Sequence, residues 1–145
     1  MPSAKDLLTK QQQDQVVQSI QQAEKGTSGE IRLYIEDSTR KDALLRAEEV
    51  FLKLGMGKTK DRTGVLIYVA VKDHKLAIIG DKGIHDVVGN DFWEAEKELL
   101  IEHFAKADYS EGLAKAIGLI GERLKKSFPI KPGDKNELPD EILFK

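Results

Sequence analysis

The chain has 145 residues, 40% apolar and 6% aromatic, which bounds it to one ordinary domain with one core. Its 23 basic and 25 acidic residues leave a net charge of −2, so bulk electrostatics point to neither a nucleic-acid nor a membrane surface and any charge-based function must be local. The absence of cysteine excludes disulfides, thiolate zinc sites, iron–sulfur clusters and cysteine nucleophiles.

Residues 1–10 lack the apolar core of a signal peptide, and no run approaches the roughly 20 apolar residues that span a bilayer, so the expectation is a cytoplasmic protein without membrane insertion. Thr9 to Gln12 has the spacing of a capping box, and Val16, Val17, Ile20 and Ala23 recur at helical spacing until Gly26. After the turn from Gly26 to Gly29, Ile31, Leu33 and Ile35 alternate with Arg32, Tyr34 and Glu36, which predicts a half-buried strand starting at Glu30. Asp37 to Thr39 is a capping-rich turn, and Leu44, Leu45, Ala47, Val50, Phe51 and Leu54 predict a second helix ending at Gly55.

Gly55 to Gly64 reads as a flexible basic loop, and Val65 to Val71 is continuously apolar, the pattern of a strand buried on both faces. Lys72 to Lys75 is too short for a crossover, so the apolar run Leu76 to Ile79 must return as an antiparallel hairpin. Two amphipathic helices follow, Phe92 to about Lys106 and Ser110 to about Ser127. The domain covers 1–128; the tail 129–145, punctuated by Pro132, Gly133 and Pro139, reads as a loop that either docks Leu138, Ile142, Leu143 and Phe144 on the body or stays mobile.

Residues 75 to 91 carry the strongest sign of chemistry. The apolar run breaks at Gly80 into a glycine-rich loop bearing Asp81, Lys82, His85, Asp86 and Asp91, a composition that suits a hard divalent cation. The alternative is a solvated turn before a helix with an acidic N-cap. Strand, crossover helix and strand imply a parallel pair, and the hairpin runs back, so the end of the third strand meets the starts of the first two. Thr27, Ser28, Glu30, Asp61, Arg62, Thr63, Asp81, His85, Asp86 and Asp91 then converge on one rim, with Asp37, Asp73 and His74 at the other.

Crowded carboxylates raise one another's pKa unless a cation is near, which makes Asp81, Asp61, Glu30, Asp86 and Asp91 candidate ligands for Ca²⁺ or Mg²⁺. Lys82 or Arg62 could then hold a phosphate beside a metal-activated water, making Asp81, Lys82 and Arg62 the candidate catalytic set. Each has a structural alternative: Asp91 as a helix N-cap, Glu30 as an edge residue, Asp61 as a turn residue, His85 as a loop histidine. Gly57, Lys58 and Thr59 look like the end of a P-loop, but the earlier glycine it requires falls at Leu52 inside a helix. No motif for a covalent nucleophile or an EF-hand is present.

The run Arg62 to Ala70, the segment Ala77 to His85, His103-Phe104, the stretch Asp108 to Leu113 and the tail Asn136 to Glu141 together resemble the TPM domain in its short, stand-alone bacterial form. The resemblance covers roughly residues 7 to 128 and implies an α/β/α sandwich in which helices flank a small mixed sheet. It also implies divalent-cation binding by acidic loops at one end of the sheet, with metal-dependent phosphatase activity in some members and an interaction role in membrane-protein assembly in others. Lys82 stands where other members often have an aromatic residue, and Arg62-Thr63 where many have asparagine, which bears on anion binding. The expectation is therefore a metal-dependent phosphomonoesterase acting on a small phosphomonoester; the alternative is a non-catalytic, metal-stabilised module for a protein partner, with no nucleic acid in either case.

Overall fold

The computed structural model describes residues 2–58, 62–89, 92–130 and 141–145. Its elements are α1 (Lys10–Glu24), β1 (Glu30–Glu36), α2 (Ala43–Lys53), β2 (Gly64–Ala70), β3 (Lys75–Gly80), α3 (Lys82–Val88), α4 (Glu94–Ala105), α5 (Tyr109–Ser127) and β4 (Ile142–Phe144). The capping box that starts α1 is formed: Gln12 N–H donates to Thr9 Oγ1 at 3.1 Å, and Thr9 N–H donates to Gln12 Oε1 at 2.9 Å.

β1 and β2 lie parallel across the α2 crossover, and β3 returns antiparallel on β2 through the short turn after Ala70. With β4 parallel to β1, the strand order is β3-β2-β1-β4. Along β1 and β2 the residues Ile31, Leu33, Ile35, Val65, Ile67 and Val69 enter one core with Val16 and Ile20 of α1, Leu100 of α4 and Leu113, Ile117 and Ile120 of α5. Tyr34, Leu66, Tyr68 and Ala70 alternate with them into a second core against Ala47, Val50 and Phe51 of α2. The α/β/α sandwich over a mixed sheet is therefore the fold, with one helix layer on each face.

Several features depart from the sequence reading. All seven residues of β1 are buried rather than half of them, because the second core, with Met56 and Leu143 beside α2, packs on Tyr34 of the polar face, and Arg46 gives Glu36 a partner. The Gly55–Gly64 segment is not wholly loop: Met56–Lys58 forms a 3₁₀ turn that seats a fully buried Met56 in the second core. The segment after Gly80 is helix α3, whose Ile84 is completely buried, and Asp81 caps it by accepting from the Lys82 N–H at 2.7 Å. The cap position of α4 falls on Trp93, which makes no side-chain capping bond; Asp91, the expected cap, lies outside the described residues.

The tail is likewise more than a loop. Thr27 and Pro129 form an isolated bridge, and Ile142–Phe144 add β4 to the free edge of β1, with Ile142 and Phe144 packed on the first core and Leu143 on the second. Leu138 lies outside the described residues. Three residues are too few for strand periodicity to show, and only the unpaired edge of β1 supplies their partner.

Candidate functional site

The strand register sets the rim. Glu30 pairs with Gly64 and Val65 with Gly80, so the starts of β1 and β2 and the end of β3 share one edge of the sheet. Backbone bonds lock it: Glu30 N–H donates to Thr63 O at 3.1 Å, and Asp81 N–H to Gly64 O at 2.8 Å. Thr63 Oγ1 donates to Ser28 O at 3.1 Å, and Thr27 Oγ1 to Phe128 O, so both threonines and Ser28 serve to tie the α1–β1 turn to β2 and to the end of α5.

Asp81 is the centre of this rim. It is 5% exposed, and its carboxylate receives Arg62 in bidentate geometry, Nε to Oδ2 at 2.9 Å and Nη2 to Oδ1 at 3.1 Å. With the Lys82 N–H also on Oδ1, three donors surround the two oxygens. The Asp81 hydrogen bonds, and then its charge, hold the Arg62 guanidinium protonated even more firmly than an ordinary arginine. Arg62 itself sits at φ +56°, a left-handed conformation unusual for a residue with a Cβ. Its side chain is half exposed, and its Nη1 has no bond among the described residues.

The other expected ligands are placed differently. Glu30 is 4% exposed at the start of β1 and has a partner of its own. Lys82, His85 and Asp86 are exposed on α3. Asp61 and Asp91 lie outside the described residues. Among the described residues no three His, Asp or Glu side chains come together to hold a metal ion. Since Asp81 spends both oxygens on Arg62 and Lys82, the described residues do not by themselves fit a divalent cation; a complete ligand set would have to draw on Asp61 and Asp91.

At the opposite rim, Asp37 accepts from the Ala4 N–H at 2.6 Å and Asp73 from the Thr39 N–H at 2.7 Å, both tying chain segments together. The polar cluster missed by sequence reasoning also lies there. Glu36, 4% exposed, receives Arg46 Nε at 2.8 Å and Nη2 at 3.0 Å, and the Tyr68 hydroxyl donates to the same carboxylate. Burial pushes the Glu36 pKa up, but the Arg46 and Tyr68 hydrogen bonds outweigh it and the net position is below the ordinary value. The available signal was the apolar stripe of α2, which had to cover the Tyr34 and Glu36 face of β1.

A mixed sheet with a helix layer on each face and a polar rim at the start of β1 defines an α/β sandwich domain. The model of the TPM domain matches residues 3–123, and the chain belongs to that family. It is similar to the BA42 protein of the psychrophilic bacterium Bizionia argentinensis, solved by NMR, at 41% identity and TM-score 0.91 over 100% of both chains. Two more distant likenesses support the fold alone. The N-terminal domain of a P. gingivalis protein has 17% identity and TM-score 0.69, over 85% of this chain and 80% of that one. An N-terminal domain from Corynebacterium glutamicum has 10% identity and TM-score 0.64, over 91% and 82%. No curated protein matches the chain significantly. No helix among the described residues is long and apolar enough to cross a membrane.

Proposed function

We propose that this TPM domain is a phosphomonoesterase that works at the Asp81 rim and depends on Ca²⁺ or Mg²⁺. The observation that carries the reading is the Arg62–Asp81 pair: a buried carboxylate holds a half-exposed guanidinium in bidentate geometry, with Nη1 unbonded among the described residues. Lys82, exposed at the first position of α3, follows Asp81 directly in the chain and adds a second positive charge. In this reading Arg62 and Lys82 bind the phosphoryl oxygens, and Asp81 positions Arg62. The cation requirement is a proposal that the described residues do not supply alone, so no step is assigned to the ion.

A second reading has its own observation. Because Asp81 is satisfied within the chain as cap and ion-pair partner, the rim also suits a non-catalytic module stabilised by a cation and used for protein interaction. The test is hydrolysis of p-nitrophenyl phosphate with chelator, then with Mg²⁺ or Ca²⁺ restored, beside Arg62→Ala and Lys82→Ala and with melting curves for every sample. Metal-restored turnover that Arg62→Ala loses while its melt stays cooperative supports the enzyme. Metal-raised melting temperature without turnover favours the module, and no effect of metal on either readout removes both readings.

A further inference from the structure

The two edges of the sheet are unlike. β4 is three residues long, whereas β3 is a six-residue edge strand with no proline and one charged side chain, Lys75. That lysine does not guard the edge, since its Nζ donates to the carbonyls of Thr39 and Lys41 at 3.2 and 3.1 Å. Asp81 N–H bonds Gly64 O, and the antiparallel register alternates from there, so Ile79, Ala77 and Lys75 bond inward to β2. The N–H and C=O groups of Leu76, Ile78 and Gly80 therefore point outward. No hydrogen bond to them from outside the sheet occurs among the described residues.

This edge is the floor of a groove of about 720 Å³. One wall is α2 and its cap, with Glu48 and Asp42; the other is α3 and the start of α4, where Val88 and the edge of Trp93 lie among Lys82, His85, Glu94 and Lys97. We propose that the groove binds an extended peptide segment of a partner protein as an added strand on β3, with basic side chains toward α2 and apolar ones toward α3 and α4. Main-chain hydrogen bonds to Leu76, Ile78 and Gly80 hold the strand, and period-two alternation sorts its side chains between the walls. Glu48 is exposed and has no hydrogen bond or ion pair among the described residues, so it is available to a lysine or arginine. A second copy fits poorly, because pairing β3 with β3 about a two-fold axis would set α2 against α2, with the Asp42 and Glu48 carboxylates of both copies on one side. The inference stands on the sheet edge and does not depend on phosphatase chemistry.

The probe is an acetylated, amidated six-residue peptide alternating lysine and valine, followed by amide-resolved NMR and hydrogen exchange. The expected result is at least a tenfold gain in protection at the Leu76, Ile78 and Gly80 amides, with little change at Ala77 and Ile79, which are already bonded inward. Two further peptides carry N-methyl groups on every valine or on every lysine. An added strand uses one alternate set of its amides, so one methylated peptide loses at least tenfold in affinity and the other retains it; which one fails reports antiparallel or parallel entry. Glu48→Lys, an exposed change that spares the fold, lowers affinity several-fold. Equal binding by a block peptide of three lysines and three valines, equal tolerance of both methylated peptides, or no protection at the three edge amides overturns the proposal. Protection of those amides by the protein's own concentration, without peptide, replaces it with self-association.

Discussion

Two glycines on one helix face opposite fates when replaced by alanine. In a helix interior the change gains about 1 kcal/mol of intrinsic propensity. At Gly118 an added Cβ meets no atom within 4 Å, so the whole gain is realised. At Gly121 the Cβ would lie 2.6 Å from Ala23 Cβ, 2.9 Å from Ala23 Cα and 3.1 Å from Ala23 O, where α1 crosses α5. Two of those atoms are backbone, so no rotamer change relieves the contact and the end of α1 must move. Overpacking of this kind costs about 1–3 kcal/mol, and backbone involvement places it in the upper part of that range. The net loss for Gly121→Ala is then about 1–2 kcal/mol. For a chain of this length 1 kcal/mol moves Tm by about 4 °C, so Gly118→Ala should melt about 4 °C higher than the parent and Gly121→Ala about 4–8 °C lower. Calorimetry and urea midpoints on the two variants measure this directly. Adding Ala23→Gly to Gly121→Ala should recover only part of the loss, because Cα and O of residue 23 still crowd the new methyl. A Gly121→Ala protein that melts at or above the parent would refute the close α1–α5 crossing.

Two further outcomes follow from the buried carboxylates. Asp81→Asn keeps an oxygen for the Lys82 N–H but not the charge that holds Arg62, whereas Asp81→Ala loses both; the alanine variant should be less stable than the asparagine variant by about 1 kcal/mol in urea denaturation, the usual worth of an N-cap. Equal midpoints would mean that Asp81 does not cap α3. Glu36 has its pKa lowered in the folded state, so its contribution is complete at neutral pH and is lost as pH falls from the ordinary glutamate value of about 4.3 through the lowered folded one. Glu36→Gln should therefore be less stable than the parent at pH 7, and the two urea midpoints should converge toward pH 3; parallel curves would contradict the Arg46 and Tyr68 pairing.

Much of the fold was legible because its causes are local. Thr9 and Gln12 lie three residues apart and cap α1 without help from the rest of the chain. The continuous apolar run of β2 and the short turn after it dictate a buried strand and a hairpin partner, and the crossover helix makes β1 parallel to β2. From these, the meeting of Glu30, Gly64 and Gly80 at one edge follows by counting. Where local signals ran out, two alternatives stood open and tertiary packing chose between them: α3 follows Asp81 as a capped seven-residue helix because Ile84 seats in the core, and the tail docks as β4 because β1 had an open edge.

The sequence by itself determined the order of elements, the parallel and hairpin pairings and the rim on which Arg62, Thr63 and Asp81 stand, since periodicity, capping and turn chemistry act over a few residues. Only the tertiary structure decided which charges touch. Arg62 reaches Asp81 across 19 positions, and Tyr68 reaches Glu36 across 32, distances over which no local pattern specifies an atom's neighbour. It also decided that Asp81 is already occupied by a guanidinium and that β3 keeps an open edge, because both depend on how separate elements pack rather than on what either element contains.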